Sequence, residues 1–360
     1  MLKIKKRMLA DVMGKYGCDA LLFTDTKNIR YFTGFRGENC ILICTSDHMA
    51  LITDPRFELQ AQKEVKEARV VINKKESSLW EVPELYKELG IKKLGFSPKV
   101  LTVEVYNAIA PFIELIPVDI IPSSFRYIKS PDEIKLMKKS AQVHEKAFAE
   151  TIGLLASKPT EKAFAASLDN NMRLNGATAS DWLSSATFVI AAFAENSAIV
   201  HATPTDKKIE GKGFFLLDFG CVYDGYWSDQ TVTLFIGEPT KKMIEFYDLV
   251  HTAQKRAIEA VKPGVTAKEL YNKSYGYLIE KGFGKNIQHS LGHHLGLDIH
   301  EYPKIFPETE FTFEEGMVFT IEPGLYVPDF GGVRIEDTVM VTSSGCELIT
   351  TLSKEKRIII

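Results

Sequence analysis

The stretch FFLLDFGCVYDGYWSD, residues 214–229, predicts both a local fold and a site. Its apolar start indicates a buried strand, and Asp224-Gly225 indicates a two-residue hairpin turn into a second strand. With this turn Asp218 pairs with Thr231, which places Asp218 and Asp229 as diagonal neighbours on one face. Converging carboxylates repel each other unless a cation neutralises them. Two solvated hairpin aspartates remain the alternative at this point.

A second pair of carboxylates follows in GMVFTIEPGLYVPDFGGVRIEDTVMVT, residues 316–342. If a glycine-rich loop centred on Asp329 joins two strands, Glu322 and Glu336 face each other on one side of the pair. His293 lies between the two hairpins, in SLGHHLGLDIHEYPKIF, residues 290–306. Four acids and one imidazole suit a pair of divalent cations with bridging carboxylates, and such ligands fit Mn, Co, Fe or Zn.

Composition excludes several classes of function. The chain has 360 residues, a net charge of −3, 45% hydrophobic and 25% charged residues, so it offers no basic field for nucleic acid. Five cysteines are scattered without a CxxC pair, which indicates reduced thiols and a cytoplasmic location. No apolar stretch predicts a membrane span or a signal peptide.

The pattern of elements divides the chain in two. Strand-length apolar runs alternate with helical stretches in residues 1–122, which predicts an α/β domain without a ligand cluster, suited to support or oligomerisation. Ser130-Pro131-Asp132-Glu133 predicts a helix start with a capping box. We assign residues 123–360 to a second domain, in which helices accompany the two hairpins.

The motifs LDFGCVYDGYWSDQTVT, GHHLGLDIHE, TIEPGLY and VRIEDT resemble the pita-bread metallopeptidases, which include methionine aminopeptidase, prolidase (Xaa-Pro dipeptidase) and aminopeptidase P. NIRYFTGF and LITDPRFELQAQ resemble the creatinase-type N-terminal domain of prolidase and aminopeptidase P. The resemblance implies an α/β N-terminal domain followed by an α+β pita-bread catalytic domain, an antiparallel sheet flanked by helices. It also implies a homodimer and five metal ligands: Asp218, Asp229, His293, Glu322 and Glu336.

The implied chemistry is hydrolysis of the bond between an N-terminal residue and proline. In the family pattern Asp229 and Glu336 bridge two metal ions, with manganese expected and cobalt, zinc or iron as alternatives. A hydroxide between the ions attacks the scissile carbonyl, and Glu322 serves as proton shuttle. The substrate is a peptide with proline at its second position.

Several further residues match substrate-side or supporting positions of the family. His201 and His300 correspond to catalytic or substrate-binding histidines, although either could be a packed core residue. Lys304 stands where prolidase-like members carry a basic residue for a dipeptide carboxylate, although a solvated lysine is about as expected. Arg334 and Thr231 are expected to support the ligand carboxylates.

Three features depart from the family pattern, one of them the loop before His201, which lacks the serine-glycine common there. Val232 replaces a usual arginine, which removes a charge but no ligand. His294 replaces the glycine after the metal histidine, and we expect it either to add an imidazole near the metals or to face outward.

Two alternatives stay open on sequence alone. One is a methionine aminopeptidase-like enzyme, which the N-terminal domain disfavours. The other is a non-catalytic pita-bread binding module, which the presence of all five ligands disfavours. Dipeptidase and aminopeptidase P are not separated by the sequence.

Overall fold

The computed structural model describes residues 2–74, 82–119, 122–179, 184–355 and 358–359. The chain divides into two compact units, Met1–Arg126 and Tyr127–Ile360. Domain limits at residues 122 and 123 stay a prediction.

The first unit is an α/β layer structure, as its alternating pattern predicts. Its elements are α1 (Leu2–Tyr16), β1 (Ala20–Phe23), α2 (Thr26–Thr33), β2 (Cys40–Cys44), β3 (Met49–Thr53), α3 (Glu58–Glu64), β4 (Arg69–Ile72), α4 (Pro83–Glu88), β5 (Lys93–Phe96), α5 (Val103–Ile109) and β6 (Glu114–Pro117). In the described residues of this unit, six strands form one mixed sheet in the order β4-β3-β2-β1-β5-β6, in which β2 is antiparallel to both β1 and β3. The runs CILIC and MALIT are buried along their whole length, which explains why they lack polar alternation.

The second unit packs helices against strands that pair antiparallel, apart from the last strand, which runs parallel to its neighbour. Its elements are α6 (Pro131–Thr151), α7 (Glu161–Leu174), β7 (Thr187–Phe193), β8 (Gly213–Tyr223), β9 (Tyr226–Trp227), β10 (Gln230–Ile236), α8 (Lys241–Ile258), α9 (Ala267–Tyr271), α10 (Tyr277–Glu280), β11 (His293–His294), β12 (Glu301–Lys304), β13 (Val318–Ile321), β14 (Gly324–Val327), β15 (Gly331–Arg334), β16 (Asp337–Val341), β17 (Cys346–Leu348) and β18 (Ile358–Ile359). Among the described residues, the sheets run β18-β10-β8-β7 (with β9 on β8), β12-β11-β13-β16-β17 and β14-β15.

Helix α6 begins as the sequence predicts. Ser130 is its N-cap, Pro131 occupies the first turn, and Glu133 completes a capping box. The regular helix ends at Thr151 and a 3₁₀ segment, Ile152–Ser157, continues it. None of the helices in the described parts of the chain is long and apolar enough to cross a membrane.

The first hairpin has the predicted register. Thr231 pairs with Asp218 in the β8–β10 ladder. Asp224 and Gly225 have φ values of 44° and 84°, the conformation that a two-residue turn of this kind requires. The predicted continuous return strand over residues 226–236 is wrong, however, because β9 ends at Trp227 and β10 begins at Gln230. Asp229 therefore lies at a break between strands.

The second hairpin also breaks at its glutamates. The pairs Ile321–Asp337 and Gly324–Arg334 lie on either side of the break and keep one register. Glu322 and Glu336 thus face each other, as predicted, but the predicted uninterrupted strands are wrong. Pro323 has no N–H to continue the ladder, and the chain changes there from one sheet to another.

Candidate metal centre

The predicted ligands surround one cavity of the second unit. This cavity has a volume of about 490 Å³. The sequence predicted ten residues as ligands, as catalytic or substrate-binding residues, or as supports of the ligands. Nine of the ten line this cavity: Asp218, Asp229, His293, Glu322, Glu336, His201, His300, Lys304 and Arg334. The tenth, Thr231, is buried behind the wall and bonds to two of the nine.

Three of the ligand side chains are close enough to share an ion. One ligand atom each of Asp229, His293 and Glu336 lies within 4.8 Å of the others. The Nε2 atom of His293 is 3.5 Å from Oδ2 of Asp229 and 3.4 Å from Oε1 of Glu322. This geometry suits a cation placed among oxygen and nitrogen donors.

The carboxylates keep oxygens that nothing in the described part of the chain satisfies. Oδ1 of Asp218, Oδ1 of Asp229 and Oε1 of Glu336 are buried and have no hydrogen-bond partner there. A buried carboxylate oxygen without a partner is costly. The donor set therefore fits divalent ions, which would satisfy these oxygens.

The tautomer of His293 follows from its neighbours. Its Nδ1 is 3.1 Å from the carbonyl oxygen of His294. Because a carbonyl only accepts, Nδ1 carries the proton and Nε2 presents a lone pair to the carboxylates. The backbone N–H of His293 donates to Oγ1 of Thr320 (3.1 Å), and that hydroxyl donates to Oε1 of Glu322 (3.1 Å).

Arg334 contacts one ligand carboxylate directly and another through Thr231. Its Nη2 donates to Oδ2 of Asp218 at 2.6 Å, and its Nε donates to Oγ1 of Thr231 at 3.2 Å. The Thr231 hydroxyl in turn donates to Oε2 of Glu336 at 2.6 Å. One buried guanidinium therefore orients Asp218 directly and Glu336 through Thr231. The nearby charges raise the pKa of Arg334 well above its ordinary value despite burial.

Burial and mutual repulsion disfavour ionisation of the carboxyls without a cation. The pKa values of Asp229 and Glu336 are raised well above their ordinary values, first by burial and then by neighbouring carboxylates. Burial also raises the pKa of Glu322. Cations would supply the missing positive charge, so metal binding and carboxyl ionisation should be coupled.

This coupling gives a pH prediction. Folding raises the pKa of such a carboxyl. At pH values between its unfolded pKa of about 4 and its raised folded pKa, the folded state therefore binds one proton more than the unfolded state. Through that window the metal-free wild type should lose stability relative to Glu336→Gln as pH rises, by up to about 1.4 kcal/mol per pH unit for one proton. Thermal and urea unfolding of both proteins between pH 5 and 8 would measure the difference.

Comparing the two proteins cancels the effect of the buried histidines, whose lowered pKa values act in the opposite direction. A difference in unfolding free energy that does not change with pH would contradict the raised carboxyl pKa. Added Mn²⁺ should stabilise the wild type more at pH 8 than at pH 5, because metals bind deprotonated carboxylates.

The residues predicted for the substrate side line the same cavity as the ligands. The ring of His300 lies edge-on to that of His293, with centroids 4.4 Å apart. Burial, and then the neighbouring imidazole of His293, lower the pKa of His300 to about 4, so the ring of His300 is neutral at pH 7. His201 is exposed and Lys304 is half-buried, and both face the cavity.

Sequence reasoning missed His289. This residue lines the cavity, and its Nδ1 is 3.8 Å from Oε2 of Glu322. Its Nδ1 donates to the carbonyl of Ser290 (2.8 Å), and its Nε2 accepts from the hydroxyl of Tyr326 (2.9 Å), which receives a bond from Arg334 (2.6 Å). The sequence feature that could have indicated His289 is the presence of three histidines within residues 289–294.

Both expectations for His294 are wrong. Its side chain is fully buried and does not line the cavity. It packs among four aromatic rings, those of Tyr127, Phe311, Phe313 and Phe319. Since consecutive strand residues point to opposite faces, a side chain next to His293 turns away from the metal centre and into the core. Val232 is likewise a buried core residue.

Two family models cover most of the chain. The model for metallopeptidase family M24 matches residues 135–343, and that for the creatinase/prolidase N-terminal domain matches residues 6–128. The class of the protein is therefore a metallopeptidase with a creatinase-type N-terminal domain, as the motifs indicated. The chain belongs to metallopeptidase family M24.

Three of the relatives have names that refer to Xaa-Pro or X-Pro substrates. The Xaa-Pro dipeptidase of Pyrococcus horikoshii is 35% identical over 356 residues, which cover 98% of each chain. The structure of an Xaa-Pro dipeptidase from Bacillus anthracis is 37% identical, covers 100% of both chains and has a TM-score of 0.93. That of an X-Pro aminopeptidase from Thermotoga maritima is 31% identical, covers 97% of this chain and 100% of its own, and has a TM-score of 0.87.

Proposed function

We propose that this protein hydrolyses the bond between an N-terminal residue and proline, and that Asp218, Asp229, His293, Glu322 and Glu336 hold two divalent ions, manganese being the expected metal. The observation that carries the proposal is a set of buried carboxylate oxygens, one each from Asp218, Asp229 and Glu336, that have no hydrogen-bond partner among the described residues and belong to the cavity that His293 also lines. In this arrangement Asp229 and Glu336 would hold the ions together with the other three ligands. When bound, the ions activate water near neutral pH and polarise the scissile carbonyl.

Glu322 is our assignment for proton transfer. Its Oε1 is fixed by the Thr320 hydroxyl, and burial raises its pKa. A carboxyl tuned upward in this way can take a proton from the attacking water and give it to the proline nitrogen as the C–N bond breaks. His289, 3.8 Å from its other oxygen, limits the directions in which the carboxyl can move.

His201 and His300 are our assignments for the carbonyl side. A neutral imidazole can donate one N–H, and His300 is neutral at pH 7 because burial lowers its pKa to about 4. Such a donor stabilises the negative charge that develops on the carbonyl oxygen. Both residues line the same cavity as the ligands.

Lys304 favours a dipeptide over a longer substrate. Its side chain faces the cavity in which the carboxylates lie, so an ammonium there can meet the free carboxylate of an Xaa-Pro dipeptide. The Pyrococcus horikoshii and Bacillus anthracis relatives are named Xaa-Pro dipeptidases, which supports this preference. We therefore propose dipeptides as the preferred substrates.

The test compares Met-Pro with Met-Pro-Ala in the Mn²⁺-loaded protein and in Lys304→Met. Loss of a charge-assisted bond worth about 1.5–3 kcal/mol should raise KM for Met-Pro by about 10–100-fold. KM for Met-Pro-Ala should hardly change. Lys285→Met is the matched control, since Lys285 is exposed and does not line the cavity.

Other outcomes would point to other functions. Faster cleavage of Met-Pro-Ala than of Met-Pro would favour an aminopeptidase P, the activity named for the Thermotoga maritima relative. Cleavage of Met-Ala peptides alone would favour a methionine aminopeptidase, and absence of both metal and turnover a binding module. The homodimer and the cytoplasmic location stay predictions, which sedimentation and cell fractionation would test.

A further inference from the structure

A buried polar network lies next to two of the proposed metal ligands, on the side of the chain away from the cavity. We define the reverse-face network as Ser140, His144, Ser228, Gln230, Gln254 and Asp337, all of them buried. We propose that this network positions the carboxylates of Asp229 and Glu336 for metal binding, with His144 as its central positioning residue. The inference rests on the proposed function, because it takes Asp229 and Glu336 as ligands.

His144 bridges the two residues that flank Asp229. Its Nδ1 is 2.7 Å from Oγ of Ser228, and its Nε2 is 3.3 Å from Oε1 of Gln230. Since alternate residues of an extended chain share a face, Ser228 and Gln230 point to one side and Asp229 to the other. The imidazole of His144, on α6, therefore contacts both neighbours of Asp229 on the face opposite to the Asp229 side chain.

The directions of these hydrogen bonds are determined. The Nε2 of Gln230 donates to Oδ1 of Asp337 at 3.0 Å, so the amide oxygen of Gln230 is an acceptor. His144 must then donate from Nε2 and accept at Nδ1 from the hydroxyl of Ser228. Complete burial lowers the pKa of His144 to about 3, which agrees with a neutral ring that donates at one nitrogen and accepts at the other.

The network ends next to Glu336, the second of these two proposed ligands. Asp337 follows Glu336, and its carboxylate also accepts from Nε2 of Gln254 (2.7 Å) and from Oγ1 of Thr350 (2.9 Å). The ammonium of Lys354 is 3.1 Å from its Oδ1. The chain of bonds from Ser228 through His144 and Gln230 thus ends on an anchored carboxylate.

Strand pairing alone does not fix these ligands. Asp229 and Glu336 both lie at breaks between strands, where the sheet ladders are interrupted. Among the described residues, the backbone of these ligands keeps a bond from Oγ1 of Thr338 to the carbonyl of Asp229 (2.9 Å) and one from the N–H of Glu336 to the carbonyl of Thr231 (3.2 Å). Metal ligands must be held to within about 0.5 Å, and the reverse-face network supplies side-chain bonds where the ladders do not.

The test measures the affinity of the metal-free, full-length chain for Mn²⁺ by isothermal titration calorimetry. His144→Phe keeps a planar ring in contact with Phe219 and removes both bonds. Gln230→Met keeps the length of the side chain and cuts the link between His144 and Asp337. Each substitution should weaken Mn²⁺ binding by about 10–100-fold, the usual effect of losing a partner behind a metal ligand.

Thr151→Val is the matched control. Thr151 is buried on the same helix and bonds to Ala147 and Asn171, outside the network. The Mn²⁺ affinity of Thr151→Val should stay within about twofold of wild type, even if its melting temperature falls as far as that of the network variants. The bonds that it loses stabilise the fold at a distance from the proposed ligands. This comparison separates positioning from general stability.

Each outcome decides the question. If wild type binds Mn²⁺ and the network variants bind as tightly, or if Thr151→Val is weakened equally, the positioning role is overturned. If His144→Phe does not fold, Gln230→Met alone decides. Failure of the wild type to bind Mn²⁺ would instead overturn the proposed function, and the positioning role with it.

Discussion

Replacing Asp229 by asparagine should abolish tight Mn²⁺ binding and lower turnover of Met-Pro by at least about 10³-fold, since activation by the ions is worth several kcal/mol. Asp229 is buried, its Oδ2 is 3.5 Å from Nε2 of His293, and its Oδ1 has no partner in the described part of the chain. An amide of the same shape supplies one weaker oxygen and no charge. Calorimetry with Mn²⁺ and a continuous dipeptide assay would measure both losses.

The same substitution should not destabilise the metal-free protein. Burial and the neighbouring carboxylates raise the pKa of Asp229, so its ionised form is unfavourable in the folded state without metal. Asp224→Asn is the control, because Asp224 is exposed in the hairpin turn with φ of 44°, a conformation that asparagine tolerates. Wild-type metal affinity in Asp229→Asn would remove Asp229 from the ligand set.

Replacing Arg334 by methionine should lower the free energy of unfolding by about 3–5 kcal/mol, the usual effect of breaking a buried ion pair from one side. The guanidinium is 1% exposed and 2.6 Å from Asp218, and it also donates to Thr231 and Tyr326. Urea unfolding of metal-free wild type and variant would measure the loss. Arg173→Met is the control, since the pair of Arg173 with Asp169 lies at the surface and should contribute less than about 1 kcal/mol.

Two further measurements locate the cause of this loss. Asp218→Asn added to Arg334→Met should recover part of the stability, because it removes the buried carboxylate that was left uncompensated. Mn²⁺ should also stabilise Arg334→Met, since a cation replaces part of the missing charge. An Arg334→Met protein as stable as wild type without metal would show that the ion pair contributes nothing.

The register of both hairpins could be predicted because turn chemistry fixes it. Asp224-Gly225 suits a two-residue turn, and one such turn determines that Asp218 faces Thr231; the structure has this pair. The N-cap at Ser130 was predictable for the same reason, since side chain and backbone meet within four residues. Such features depend on near neighbours only.

The breaks in the strands could not be predicted in this way. Asp229 lies between β9 and β10, where the hydroxyl of Ser228 hydrogen-bonds to His144, a residue 84 positions away. Pro323 interrupts the ladder beside Glu322, but which sheets its flanking strands join depends on distant pairing. His289 and His294 are similar cases, since one faces the cavity and the other an aromatic core.

The sequence by itself determined the family, the α/β and α+β character of the two parts of the chain, and the residue types that a divalent metal requires. These follow from local patterns and from motifs that keep their spacing. Only the tertiary structure decided which carboxylate oxygens remain unpartnered, how Arg334 is shared between Asp218 and Thr231, and that His144 supports the chain behind Asp229. The physical reason is that burial and long-range hydrogen bonds join residues far apart in the chain, and their energies depend on positions that only the complete fold defines.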